Sequence, residues 1–440
     1  MKIRVNQLLA TSVVAFVGAS FAQGGDITWP PPTAPDNAAL VYHRAFLLLS
    51  PLSLKENEAA DKAFEKLAET GEYDARALDP FVERNSKPLA LLLQGAAIDR
   101  CDFGMQFDQG TSAAWPELSR IRELAREGII AMAQARDKGD SDRMAALFGA
   151  ILKLARSAHE EGTMVSALVG VAVIDMVSGQ TGRLLGALPA ENAATYERME
   201  RALDEVTPAV SNWASAIEGE MKMYAVYYPP PGTVLTREQL MRFKDIAAAS
   251  KAQGNEAVPT PEEAVRIIQG TASQAEREKA ARFLECSPDD LTSPEKMTAL
   301  LTHYGMGLMR MLREIQGILA LPYPVAQPKF AEVLKRAETE DEATRTFIPP
   351  MAAVVFYKAK EAAQLGMMRT ALAIVKWQAA QGRLPENLEK ILPAVSADPF
   401  TEAQPFEYRR LQSGGFSLSS KGTAERDVAT PLVMTVPMRP

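Results

Sequence analysis

The chain has 440 residues, 47% of them apolar and 23% charged, so it can bury a large core, as one elongated array or as two domains. Its 48 lysines and arginines against 55 aspartates and glutamates give a net charge of −7, which leaves no electrostatic footprint for nucleic acid or anionic lipid. The two cysteines, Cys101 and Cys286, stand far apart and are expected as small buried apolar groups, although an exported chain would permit a bridge between them.

Met1 to Ala22 combines Lys2 and Arg4 with an apolar stretch from Leu8 to Val17 and ends in Ser20-Phe21-Ala22, the pattern of a cleaved export signal. Gln23 follows where a lipid-anchored protein would carry cysteine, so a soluble exported protein, periplasmic or extracellular, is expected. Loss of Lys2 and Arg4 leaves 46 basic residues against 55 acidic ones, a net charge of −9. Residues 23–36, with Trp29-Pro30-Pro31-Pro32, read as an extended tether.

From Asp36 or Asn37, either of which can cap it, a helix carries Leu40, Val41, Phe46 and Leu47; further helices fit Leu54 to Thr70 and Ser86 to Asp99. Between Ser112 and Lys138, Leu118, Ile121, Leu124, Ala125, Ile129 and Met132 recur at helical spacing, and Gly139 stops the helix. Asp140 caps the next, with Met144, Leu147, Phe148, Ile151, Leu152 and Ala155 on one face up to Gly162. So short a turn requires the two helices to be antiparallel. Thr163 to Leu188 begins with a run apolar on every side of a helical wheel, which predicts a central helix covered by the others. The run ends at Asp175 after about eleven residues, whereas a bilayer span needs roughly twenty, so no integral membrane protein is expected once the signal is cleaved.

Beyond Pro189 a helix carries Tyr196, Met199, Leu203 and Val206, and Thr207-Pro208 predicts the start of another with Val210, Trp213, Ile217, Met221 and Tyr224. Tyr227-Tyr228-Pro229-Pro230-Pro231-Gly232 breaks the array, and residues 233–294 read as shorter, more charged helices. Strong helices return at Ser293 to Leu321 and Met351 to Gln381. After Gly382, Asp398-Pro399-Phe400 reads as a turn, and Phe406 to Arg409 with Gly415 to Leu418 alternate as a small hairpin. The predicted fold is therefore mainly α: an antiparallel, solenoid-like helical array over 37–232, a second helical region over 233–350 with a charged flap, and a long helix with a small α+β hairpin module over 351–440.

Arg100-Cys101-Asp102-Phe103-Gly104 to Gly110, with Gly139-Asp140 and Leu154-Ala155-Arg156, resembles a family of uncharacterised secreted bacterial helical proteins, a resemblance that implies no activity. The Gly139-Asp140 hairpin with Phe148 is similar to a single tetratricopeptide unit, without a second copy. The tail, from Ala371-Leu372-Ala373 through Gly382-Arg383-Leu384-Pro385 to Gly414-Gly415-Phe416, resembles the globular end of a type II secretion pseudopilin, which implies a helix paired with a small antiparallel sheet and docking to a secretion apparatus. Many such ends bind calcium, but Ser420 to Asp427 offers only Glu425 and Asp427, too few oxygen ligands, so neither metal nor other cofactor is expected.

Ser293-Pro294-Glu295-Lys296 matches the S-x-x-K of penicillin-recognising enzymes, yet Ser293 as N-cap with Pro294 in the first turn explains it without chemistry. His159-Glu160-Glu161 lacks a zinc-binding spacing and reads as the polar end of a helix. In the loop Cys101 to Gly110, Asp102 and Asp108 are the candidate catalytic carboxylates, with Phe103 and Phe107 as candidate binding residues; alternatively the phenylalanines plug the core and the aspartates bond to loop amides. Tyr227 and Tyr228 are candidates for a protein docking spot or for loop anchors. The expected function is an exported helical scaffold with a protein partner, the alternative a cell-envelope hydrolase working through Asp102 and Asp108.

Overall fold

The computed structural model describes residues 36–112, 115–188, 192–210, 212–228, 259–340, 342–348, 351–392, 394–412, 414–420 and 432–438, with 232, 234–236 and 240–241 in addition. The leader, nearly all of the tether, the tyrosine-following prolines 229–231, and Glu425 and Asp427 lie outside the described residues.

Helix follows helix through most of the chain. The first group is α1 (Ala38–Leu48), α2 (Glu58–Thr70), α3 (Ala75–Arg84), α4 (Ser86–Ala96), α5 (Pro116–Asp137) and α6 (Ser141–Glu160). Then come α7 (Met164–Ala187), α8 (Ala193–Val210) and α9 (Trp213–Ala225). A second group comprises α10 (Pro261–Gln269), α11 (Gln274–Leu284), α12 (Pro294–Leu319), α13 (Tyr323–Ala337) and α14 (Glu342–Phe347), and α15 (Val354–Gln381) precedes three short strands.

Local chemistry sets the helix ends. Asn37 caps α1 by accepting from the Ala39 amide at 3.1 Å, and Asp140 caps α6 by accepting from that of Arg143 at 3.0 Å. Thr163 opens α7 with a capping box closed by Ser166. At Gly162, φ is 72°, a left-handed conformation that ends α6 and turns the chain straight into α7. Ser293 caps α12, accepting from Lys296 N at 3.3 Å, while the Lys296 ammonium donates to the Asp289 carbonyl, so the S-x-x-K residues work as a helix start.

One expected boundary moves. Thr207-Pro208 does not start a helix: α8 continues through both to Val210, and α9 begins only at Trp213. Proline lacks the N–H that would bond back to Asp204, a small loss in a last turn, and the Thr207 hydroxyl donates to the Leu203 carbonyl at 2.6 Å.

The hydrophobic interior is divided into two clusters. The first takes α1 to α6, the latter part of α7, α8, most of α15 and the C-terminal strands; the second takes the start of α7, α9 to α13 and Ile348, Met351, Val354 and Val355. The cores thus cut across the segment boundaries expected at 232 and 350. Helices α7 and α15 run through both, with Val171 and Val355 on the second side and Val173 and Ala359 on the first.

Helix α7 is long and apolar enough by length and composition to cross a bilayer, and α2, α5, α6, α9, α15 and β3 pack around it. Val173, Ile174 and Val177 are fully covered. The enclosure is incomplete at its start, where Val165 is 39% exposed and Val169 is half-buried against the first core. Its later polar residues bind neighbours: Arg183 donates to the Glu69 carbonyl at 2.8 Å and Gln180 to that of Leu67 at 3.2 Å.

The strands β1 (Glu407–Arg410), β2 (Phe416–Ser419) and β3 (Val433–Val436) form one antiparallel sheet in that order. Tyr408 pairs with Leu418, and Leu418 with Met434. Phe416, Leu418, Met434 and Val436 are buried in the first core, and β3 lies against α7. The approach is close enough that a Cβ at Gly182 would strike the Thr435 carbonyl and one at Gly186 that of Pro437.

Candidate functional site

The Cys101 to Gly110 loop is pinned from both ends. Asn37 brackets Asp102, accepting from its amide at 2.9 Å and donating to its carbonyl at 2.8 Å. The Asp102 carboxylate accepts from the Gly104 amide at 2.9 Å and lies 3.4 Å from the Arg100 guanidinium. Asp102 and Asp108 are both exposed. Phe103 packs among Tyr42, His43 and Phe46, while Phe107 lies beside α9, with the Lys222 ammonium 5.5 Å from its ring centroid and Gly219 against its edge. Tyr227 is fully buried with its ring against Gly110, and Tyr228 is buried against Gly305 and Phe347, so these two side chains anchor the second core.

Behind the loop lies a set of buried titratable groups that the sequence shows only as a polar helix end. His159, 4% exposed, places Nε2 2.6 Å from Glu361 Oε1, and Trp213 Nε1 donates to Glu361 Oε2 at 2.9 Å. Gly170 packs against the imidazole. The three side chains come from α6, α15 and α9, where the two cores meet, so His159, in the last turn of α6 as expected of a polar helix end, is also an internal tie. Glu161 accepts from the Phe103 amide at 2.8 Å, and burial pushes its carboxyl up to about 7. Glu220 accepts from Met164 N at 2.9 Å at the start of α7, and its carboxyl is also raised by burial. On α5, Glu127 accepts from Asn85 Nδ2 at 3.1 Å, and burial pushes it up to about 9.

Cys101 and Cys286 are both free. Burial, with Glu161 and Asp102 close by, pushes the Cys101 thiol up to about 12, which removes it as a nucleophile at neutral pH. Among the described residues, no group of three or more His, Cys, Asp and Glu side chains could hold a metal ion.

A concave feature lies elsewhere. A half-open cleft of about 550 Å³ is formed by the end of α12 and start of α13, by one face of α15 and by the turn from Ala397 to Ala403. Leu319, Pro322, Val325 and Val355 form apolar walls, and Ala326, Ala359 and Ala362 keep it open. Tyr323, at its border, meets Phe400 edge-on with centroids 4.7 Å apart, and Phe400 in turn contacts Phe356 at 5.8 Å. The turn is held by Asp398, fully buried, whose carboxylate accepts from the Phe400 amide at 3.0 Å and the Ser420 hydroxyl at 2.8 Å. Ala403 on its rim has φ 63°, a conformation that side-chain-bearing residues seldom adopt.

Lys358 also lines the cleft and donates to the carbonyls of Leu319 and, at 3.3 Å, Leu321. It thereby closes the carbonyl end of α12, and burial lowers its pKa. None of the sequence-derived candidates lines the cleft. The available signals were two aromatic residues beside prolines, Pro322-Tyr323-Pro324 and Pro399-Phe400, which look like ordinary turn punctuation. No family model, no curated protein and no solved structure matches this chain.

Proposed function

We propose that the protein is an exported helical scaffold that binds a protein partner through the outer face of α1. The observation that carries this reading is a stripe of uncovered leucines: Leu47 is 78% and Leu48 53% exposed, Leu40 lies a further two turns back on the same face, and Leu54 is exposed in the following turn. Single exposed leucines are ordinary, but several on one face of a well-anchored helix form a binding surface. Arg44 lies between them and is exposed as well. The opposite face of α1 is fixed, with Val41, Tyr42 and Ala45 buried against α4 and α5. Export is supported by the basic, apolar and small-residue order of residues 1–22. The pseudopilin-like reading of the tail is supported by a long helix followed by a small antiparallel sheet. The hydrolase alternative draws no support from Asp102, whose carboxylate bonds to its own loop.

The test is capture from the envelope fraction of the source cell by the tagged full chain, against a chain carrying Leu47→Lys and Leu48→Lys. Both sites are exposed, so the variant retains its melting temperature. We expect a protein retained by the parent, displaced by untagged chain, and lost with the double variant. Equal retention by both chains would overturn the reading, and the unchanged melting temperature of the double variant excludes unfolding as the cause of any loss.

A further inference from the structure

We propose that the cleft between α12, α13, α15 and the Ala397–Ala403 turn is a binding site for an alkyl monocarboxylate, its chain along the apolar walls and its carboxylate on Lys358. The inference is independent of the scaffold reading and concerns a different face.

The size and apolar lining suit a small ligand, since such sites are concave, of a few hundred Å³, largely apolar, and supplied with few polar groups. The nature of those groups narrows the ligand. Three lining residues, Pro322, Pro324 and Pro399, have no backbone N–H. The amides of Leu321, Val325, Ala326 and Thr401 are already used, bonding to the carbonyls of Ile318, Pro322, Pro322 and Asp398. An extended peptide, which binds by exchanging main-chain hydrogen bonds, finds few donors there. A saturated chain asks for none, and the small side chains of Ala359 and Ala362 leave a flat wall for it.

Lys358 supplies the polar end. An ammonium has three N–H donors, and the Leu319 and Leu321 carbonyls account for two of them. The third is left for an acceptor, and no ion pair to Lys358 is found among the described residues. A carboxylate forms a charge-assisted hydrogen bond to it, about twice as strong as a neutral one. Two acidic side chains also border the cleft. Asp398 is fully buried and turned onto Phe400 N and Ser420 Oγ. Glu402 is exposed, where water and salt screen it. Lys358 is therefore the charged group lining the cleft that keeps a hydrogen-bond donor for a ligand.

The experiment is calorimetric titration of the full chain with decanoate, decan-1-ol and decyltrimethylammonium, each below its aggregation concentration. Decanoate is expected to bind saturably, one per chain, about tenfold or more tighter than the alcohol or the cation. Ala362→Trp, which fills the cleft from α15 and leaves the Lys358 charge in place, should weaken decanoate by about tenfold or more while the melting temperature holds. Lys358→Met should bring decanoate down to the level of the alcohol, and Lys358→Arg, which keeps charge and donors, should restore the preference. If Lys358→Met fails to fold, Ala362→Trp and the alcohol comparison still decide. No saturable decanoate binding, equal binding of all three probes, or decanoate binding unaltered by Ala362→Trp would each overturn the proposal.

Discussion

Carboxyl groups inside this protein are held by two different means, and the difference has a pH signature. Glu361 is matched on both oxygens, by His159 and Trp213, whereas Glu127 has Asn85 on Oε2 and nothing on Oε1. An ionised carboxylate with one partner in an apolar interior is costly, and burial accordingly raises Glu127 to about 9. The folded chain then holds a proton that the unfolded chain gives up above pH ~4.5. Stability from this group is full below that pH, declines as pH rises towards about 9, and levels off beyond, with a slope of at most about 1.4 kcal/mol per pH unit. Glu161, raised to about 7, acts with the same sign over a narrower window. Glu127→Gln keeps an acceptor for Asn85 and carries no proton to lose. Urea denaturation at about pH 5, 7 and 9 should show the parent weakening steadily and the variant weakening less steeply, Glu161 and Glu220, both raised by burial, keeping their share of the decline. A parent as stable at the highest of these pH values as at the lowest would refute a neutral, buried Glu127.

At the level of elements, close approach decides what propensity alone would misjudge. Glycine inside a helix costs about 1 kcal/mol relative to alanine, so Gly182→Ala in α7 should stabilise if only the helix mattered. The Thr435 carbonyl of β3 occupies the place of the new methyl, and backbone cannot move aside as a flexible side chain can. Overpacking of this kind costs about 1–3 kcal/mol, which exceeds the propensity gain. The urea midpoint of Gly182→Ala is expected to fall; a rise would mean that β3 does not sit on α7. The strand itself was not legible. Val433 to Val436 is too short to show alternation, and it becomes a strand by pairing with β2. Helices α3 and α13 escaped notice for another reason: Pro80 and Pro328 lie inside them and read as breaks. By contrast, the α5–α6 hairpin was fully legible because Gly139 and Asp140 mark the turn and both flanking helices keep their apolar spacing. The cleft could not be read at all, since α12, α13, α15 and the Ala397–Ala403 turn meet only in space, and Lys358 looks like one more solvated cation.

Across the whole molecule, the C-terminal strands belong to the same interior as the helices that open the chain. Phe406, Phe416, Leu418, Met434 and Val436 are each no more than 4% exposed and all join the first core. Burying such a side chain is worth about 1.5–3 kcal/mol, so these five contribute on the order of 10 kcal/mol. A domain's net stability is about 5–15 kcal/mol, so removing them consumes most or all of it. A chain ending at Gly382 would also leave Gly182 and Gly186 of α7 without the strand that covers them. It should therefore lose its cooperative melting transition, elute as an expanded species and bind a dye that reports exposed apolar surface, while keeping much of its helical signal. If the tail were an appended docking module on an independent body, the shortened chain would melt as cooperatively as the parent, at a similar temperature. That result would remove the sheet from the first core.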